Sequence, residues 1–125
     1  MAPLDMQPTG SSPKVCFDPL TGILELSGDS YPENSFEFYS PVLSWLKDHL
    51  QETETLQVHF NIVYMNSSSI KCVLDMLDLM EEAEAAGKKI LINWYYDREN
   101  PRALDLAEEF AEDVGVPFHI IPVEG

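Results

Sequence analysis

Residues 56–69 read Leu-Gln-Val-His-Phe-Asn-Ile-Val-Tyr-Met-Asn-Ser-Ser-Ser. Leu56, Val58, Phe60, Ile62 and Tyr64 alternate with Gln57, His59, Asn61 and Val63. That period of two is the pattern of a strand with one buried face, and it predicts Tyr64 on the buried side. The strand runs into Asn66-Ser67-Ser68-Ser69, whose short polar side chains cap helices. From about Ser68 to Ala86, Ile70, Val73, Leu74, Leu77 and Met80 fall on one helical face, and Gly87 follows as a helix terminator. Lys89–Tyr96 resumes the strand pattern with Ile90, Ile92 and Trp94 on one side. Strand, helix and strand in such close succession form a crossover unit, which calls for parallel pairing in a helix-covered sheet.

The same reasoning extends outward. Val15–Asp18 and Gly22–Ser27 flank the turn signal Pro19–Gly22 and predict a β-hairpin. A polar, turn-rich stretch follows, Gly28-Asp29-Ser30-Tyr31-Pro32-Glu33-Asn34. Asn34 and Glu37 fit a capping box for a helix whose stripe is Phe38, Val42, Trp45, Leu46, His49 and Leu50. Pro41 leaves two options: a kink, or a second helix capped by Ser40-Pro41. Downstream, Asn100-Pro101 opens a third helix with a stripe of Ala103, Leu106, Ala107, Phe110, Ala111 and Val114, and Gly115 ends it. Phe118–Ile121 is a last short strand. The order β-β-α-β-α-β-α-β predicts a single α/β domain over residues 14–125, with a mixed sheet of about five strands packed by about three helices. Strand order and the number of covered faces stay open. Residues 1–13, with three prolines and a Gly-Ser-Ser, read as a flexible N-terminal arm.

Composition narrows the function. Leu, Ile, Val and Phe make up 35 of the 125 residues, enough for one real core. Seven basic residues against 22 acidic ones leave a net charge of -15. Such a surface repels phosphate backbones and anionic lipid, so neither nucleic acid nor membrane insertion is expected, and protein partners are favoured. Cys16 and Cys72 have no CxxC spacing, and no signal peptide precedes them, so neither a disulfide framework nor a thiolate metal site is expected. The chain reads as cytoplasmic.

Motifs for catalysis are missing: there is no HExxH, GxSxG, phosphate-binding glycine loop or EF-hand pattern. His49, His59 and His119 fall in different elements and read as structural. Asp29 and Glu33 are the least arbitrary candidates for acid–base work and, with Asp97, define the enzymatic alternative. Met76 and Leu79, off the main stripe beside Asp75 and Asp78, would suit protein docking if exposed. The serine run stands out most. A helix N-terminus carries partial positive charge and free N–H groups, and the first acid after the serines is Asp75. Lys71 is read here as lying in the first turn. A phosphate on one serine would bring about -1.5 to -2 charges to a place able to hold them. By chemistry alone, the serines read as redundant caps.

Four segments then resemble the motifs of the SiaC family of bacterial regulatory phosphoproteins. They are Gly28–Asn34, Tyr64-Met65-Asn66-Ser67-Ser68-Ser69, Lys71 and Asn93-Trp94-Tyr95-Tyr96-Asp97, and they occur in order. The resemblance implies a STAS-like fold, similar to anti-sigma-factor antagonists, and a non-enzymatic, partner-switching role without cofactor. It implies a serine/threonine kinase of the anti-sigma-factor type, a metal-dependent phosphatase that reverses it, and a diguanylate cyclase bound and activated by the unphosphorylated form. The family's usual acceptor threonine falls on Ser67, with Ser68 as runner-up. Partner contact is expected from Tyr31, Glu33, Asn34, Asn66, Ser68, Ser69 and Lys71. The binding alternative is an anti-sigma-factor-antagonist-type protein that sequesters a kinase and involves no cyclase.

Overall fold

The computed structural model describes the chain from residue 4 to residue 124. The elements are β1 (Asp5–Met6), β2 (Lys14–Asp18), β3 (Ile23–Ser30), α1 (Ser35–Glu52), β4 (Thr55–Met65), α2 (Ser67–Ala85), β5 (Lys89–Asp97), α3 (Pro101–Asp113) and β6 (Phe118–Val123). The α/β class, the mixed sheet and the three helices are as the sequence predicts, with one short strand added at the start. Residues 1–3 of the expected arm lie outside the described residues. The rest of it is laid on the sheet: β1 pairs with β2, Leu4 is buried, and Thr9 Oγ1 bonds the Ser12 hydroxyl at 2.7 Å. Leu4 joins the core and half-buried Met6 packs against it, so two apolar side chains anchor this otherwise polar stretch.

Sheet order follows chain order, β1-β2-β3-β4-β5-β6. The pairs β1–β2 and β2–β3 are antiparallel, and the remaining pairs are parallel. Each parallel connection therefore steps one strand over in the same direction. Right-handed crossovers that all step one way set α1, α2 and α3 on the same face. Strand burial agrees. Val15, Phe17, Leu24, Leu26, Val58, Phe60, Ile62, Ile92 and Trp94 are buried, whereas Cys16, Glu25, Gln57, His59, Leu91 and Tyr95 on the other face are only partly covered.

The core centres on Trp94. Its indole stacks on Phe60 at 4.6 Å, Phe110 at 5.0 Å and Phe118 at 5.9 Å, joining β4, β5, β6 and α3. A second aromatic group closes the other end: His49 stacks on Trp45 at 4.6 Å and meets Phe17 at 4.7 Å. His49 is thus a core residue of α1, as expected, and burial pushes its imidazole below its ordinary pKa.

Helix α1 runs unbroken through Pro41, which is exposed. A proline on the solvent side gives up one backbone hydrogen bond where water can satisfy the freed carbonyl. The docking reading of Met76 is corrected, since that side chain is fully buried in the core and Leu79 is half-buried. Gly87 ends α2 with φ +101°, a left-handed conformation that favours glycine.

Candidate functional site

The neighbouring parallel strands β3 and β4 end at the same edge of the sheet, with Ser30 opposite Met65. The helices that leave them, α1 and α2, therefore start side by side. Sites in such sheets lie at the carboxyl ends of strands, where connections are free to vary.

A bulge shapes this edge. Gly28 pairs with Ile62 but Asp29 pairs with Tyr64, so Val63 is an extra residue on β4. Gly28 takes φ +112°, which favours glycine, and β3 continues to Ser30 through the stretch read as a turn. One extra residue reverses the facing of everything after it. The expected inward Tyr64 is instead 54% exposed, and Met65 is buried. Tyr64 meets the Tyr31 ring edge-on at 5.7 Å. Of the five exposed large hydrophobic residues described, Tyr31, Phe36, Val63 and Tyr64 all lie in or next to these two connections, and only Leu20 lies elsewhere. Tyr31 also anchors the N-terminal segment, its hydroxyl donating to the Gly10 carbonyl at 2.8 Å.

Asn66 caps α2. Its side-chain oxygen accepts from the Ser69 N–H at 2.9 Å. The three serines that follow have different surroundings. Ser67 is exposed, and its hydroxyl has no hydrogen-bond partner among the described residues. Ser68 is half-buried and donates to Ser35 Oγ on α1 at 2.8 Å. Ser69 is fully buried, 2.9 Å from Ser30 Oγ and 3.1 Å from Ser35 Oγ. Behind them the buried Tyr39 hydroxyl lies 2.7 Å from Ser30 Oγ. Ser30, Ser35 and Tyr39 were missed in the sequence reading. Their only local signal is a hydroxyl on a face otherwise read as turn or core.

The other predicted residues divide. Asn34 caps α1, accepting from the Glu37 N–H at 3.1 Å. Glu33 is exposed beside it. Lys71 is the fifth residue of α2, beyond the first turn, so its placement there is corrected. Its ammonium donates to Asp75 at 2.7 Å, and that bond raises its pKa. Asp29 lies in β3, Glu33 in the loop after it and Asp97 at the end of β5, with no hydrogen bond or ion pair joining them among the described residues. His59 sits on the open sheet face with Gln57 Nε2 at 2.7 Å and Asn93 Nδ2 at 3.3 Å.

Burial also pushes the Tyr39 phenol up from 10.0 to about 12. The unfolded chain then loses this proton first as pH rises. The contribution is intact below pH 10 and falls away as pH climbs toward 12, by about 2–3 kcal/mol in total. Thermal unfolding followed from pH 9 to pH 12 should show this loss, and Tyr39→Phe should flatten it.

The fold and this edge define a small one-sided α/β domain with an exposed serine at the capped start of α2, beside an exposed apolar rim. The chain belongs to the SiaC family, matching the description "SiaC family regulatory phosphoprotein" over residues 6–123. A protein of Pseudomonas aeruginosa (strain UCBPP-PA14), named only as uncharacterized, is 42% identical over 121 residues, 96% of each chain. The structure of apo-SiaC from Pseudomonas aeruginosa is 41% identical with a TM-score of 0.91, covering 97% of this chain and 99% of that one. A further structure is described as the diguanylate cyclase SiaD in complex with its activator SiaC from the same organism. Its matching chain is 41% identical with a TM-score of 0.91, covering 96% of this chain and 99% of that one. No helix among the described residues is long and apolar enough to cross a membrane.

Proposed function

We propose that this protein binds and activates a diguanylate cyclase in its unphosphorylated form, acting in the cytoplasm by binding alone and without catalysis of its own. The observation that carries the reading is the near full-length likeness to the structure of SiaD with its activator SiaC. The exposed rim of Tyr31, Phe36, Val63 and Tyr64 offers the docking surface, because exposed aromatics beside polar caps suit a protein interface. Glu33 and Asn34 stand just ahead of α1, and Asn66, Ser68 and Lys71 at the start of α2. Buried Ser69 acts by holding the helix start.

The switch is phosphorylation of Ser67 by a serine/threonine kinase of the anti-sigma-factor type, reversed by a metal-dependent phosphatase. Support comes from exposure: Ser67 alone of the three serines has a free hydroxyl in reach of an enzyme. A phosphate at that point brings charge and bound water into the interface, which opposes docking, while the N-terminus of α2 tolerates it.

The test measures cyclic di-GMP synthesis by purified cyclase with unmodified, kinase-treated and Ser67→Ala protein. Unmodified and Ser67→Ala protein should stimulate, and kinase-treated wild type should not. Pull-down of the cyclase by unmodified protein separates this reading from one in which only the kinase is bound. Stimulation that persists after stoichiometric phosphorylation would overturn the switch.

A further inference from the structure

The hydroxyls around the start of α2 can be ordered by counting protons, since each has one to donate. Ser30 donates to Ser69 Oγ, so the bond between Ser30 and Tyr39 uses the Tyr39 proton. Ser35 donates to Asn66 Oδ1 at 3.3 Å, so the bond between Ser69 and Ser35 uses the Ser69 proton. The chain runs Tyr39, Ser30, Ser69, Ser35, Asn66, and it ends on the oxygen that caps α2. Ser68 joins from the side by donating to Ser35 Oγ at 2.8 Å, with a longer contact of 3.3 Å to Asn66 Oδ1. Ser35 is the one residue of α1 that touches Asn66, Ser68 and Ser69 together, and it is buried.

We propose that Ser35 is a positioning residue that selects the phosphoacceptor: it holds the Ser68 hydroxyl inward and leaves Ser67 as the nucleophile. This rests on the reading of Ser67 as acceptor. In the transfer, Ser67 Oγ bonds the γ-phosphorus of ATP, the bond from that phosphorus to the bridging oxygen breaks, ADP leaves, and the hydroxyl proton passes to the kinase's base. Ser68 stands next in sequence to Ser67 and carries the same chemistry. To react, it must first leave a short bond to Ser35 and turn outward from a half-buried position. Loss of one ordinary hydrogen bond corresponds to about a fivefold change in an equilibrium between bound and free hydroxyl. Ser69, in the same chain, does not hold Ser68.

The experiment follows phosphate incorporation by intact mass and fragment ions. It uses a purified anti-sigma-factor-type serine kinase that is active on a control substrate, with ATP. The proteins are wild type, Ser67→Ala, Ser67→Ala/Ser35→Ala and Ser67→Ala/Ser69→Ala, each checked for cooperative unfolding. Wild type should take one phosphate on Ser67, and Ser67→Ala should react slowly or not at all. Adding Ser35→Ala should raise phosphorylation of Ser68 at least fivefold. Adding Ser69→Ala, which breaks the same chain but spares the bond between Ser68 and Ser35, should not. If Ser35→Ala leaves Ser68 no more reactive, or if Ser69→Ala raises it equally by loosening the region, the selection by Ser35 is overturned. If Ser35→Ala does not fold, Ser35→Cys serves in its place, since a thiol accepts a weaker hydrogen bond in nearly the same volume. Wild type that takes no phosphate on Ser67 overturns the underlying reading instead.

Discussion

A Ser67→Glu protein should lose at least tenfold in stimulation of its cyclase while unfolding at the same temperature as wild type or slightly above it. The two halves of this expectation have separate causes. Ser67 is the first residue of α2 and has no acid near it in the first turn. A carboxylate there meets the positive end of the helix, which stabilises a helix by about 0.3–1 kcal/mol. The side chain is exposed and has no partner to lose. Folding is therefore unharmed. Docking is different, because an added charge must be dehydrated or left unpaired within the interface. That penalty commonly reaches about 2–5 kcal/mol, and 1.4 kcal/mol already amounts to tenfold. Titration of cyclase activity against protein concentration, with a thermal melt of the same sample, reads both. Wild-type stimulation by a fully folded Ser67→Glu protein would remove Ser67 from the docking surface. Ser67→Ala controls for loss of the hydroxyl and should stimulate normally.

The largest effect on stability is expected at Trp94. Its ring is fully buried and stacked on Phe60, Phe110 and Phe118, so Trp94→Ala empties the contact between the sheet and α3. Truncation of a large buried aromatic costs about 3–5 kcal/mol, a large share of the roughly 5–15 kcal/mol that holds a domain together. Urea unfolding should show a midpoint shifted far down with an unchanged slope. Trp94→Phe provides the contrast. It keeps a ring in the stack and removes an indole N–H that has no hydrogen-bond partner among the described residues, so its cost should be well under half that of alanine. Equal losses in the two variants would show that a ring retained in the stack stabilises nothing.

Local signals carried most of the architecture. Alternation in Leu56–Ile62, the caps Asn34 and Asn100, the polar run that opens with Asn66, and the terminator Gly87 each act within a few residues. A period or a cap needs no knowledge of the rest of the chain. Helices α1 and α3 start at their predicted caps, α2 starts at Ser67, just ahead of the expected Ser68 and capped by the first residue of the polar run, and each cap oxygen accepts a main-chain N–H of the first turn. Tyr64 shows where local reading fails. Its place in the alternation pointed inward, and an extra residue opposite Gly28 turned it out. That outcome depends on how β4 registers against a strand more than thirty residues earlier, which no period in β4 encodes. The polar Gly28–Ser30 stretch read as a turn became strand for the same reason: pairing with β4 outweighs weak local preference.

The amino-acid sequence by itself determined the α/β class, the alternation of strands and helices, the charge that favours protein partners and the serine run at the head of α2. Only the tertiary structure decided which serine is free. Sequential strand order, with every crossover on one face, brings Ser30 and Ser35 against Asn66, Ser68 and Ser69 from 31 to 39 positions away. Three adjacent serines are chemically equal in a chain. They become unequal only when a folded neighbour accepts the hydroxyl protons of two of them and leaves the third in water.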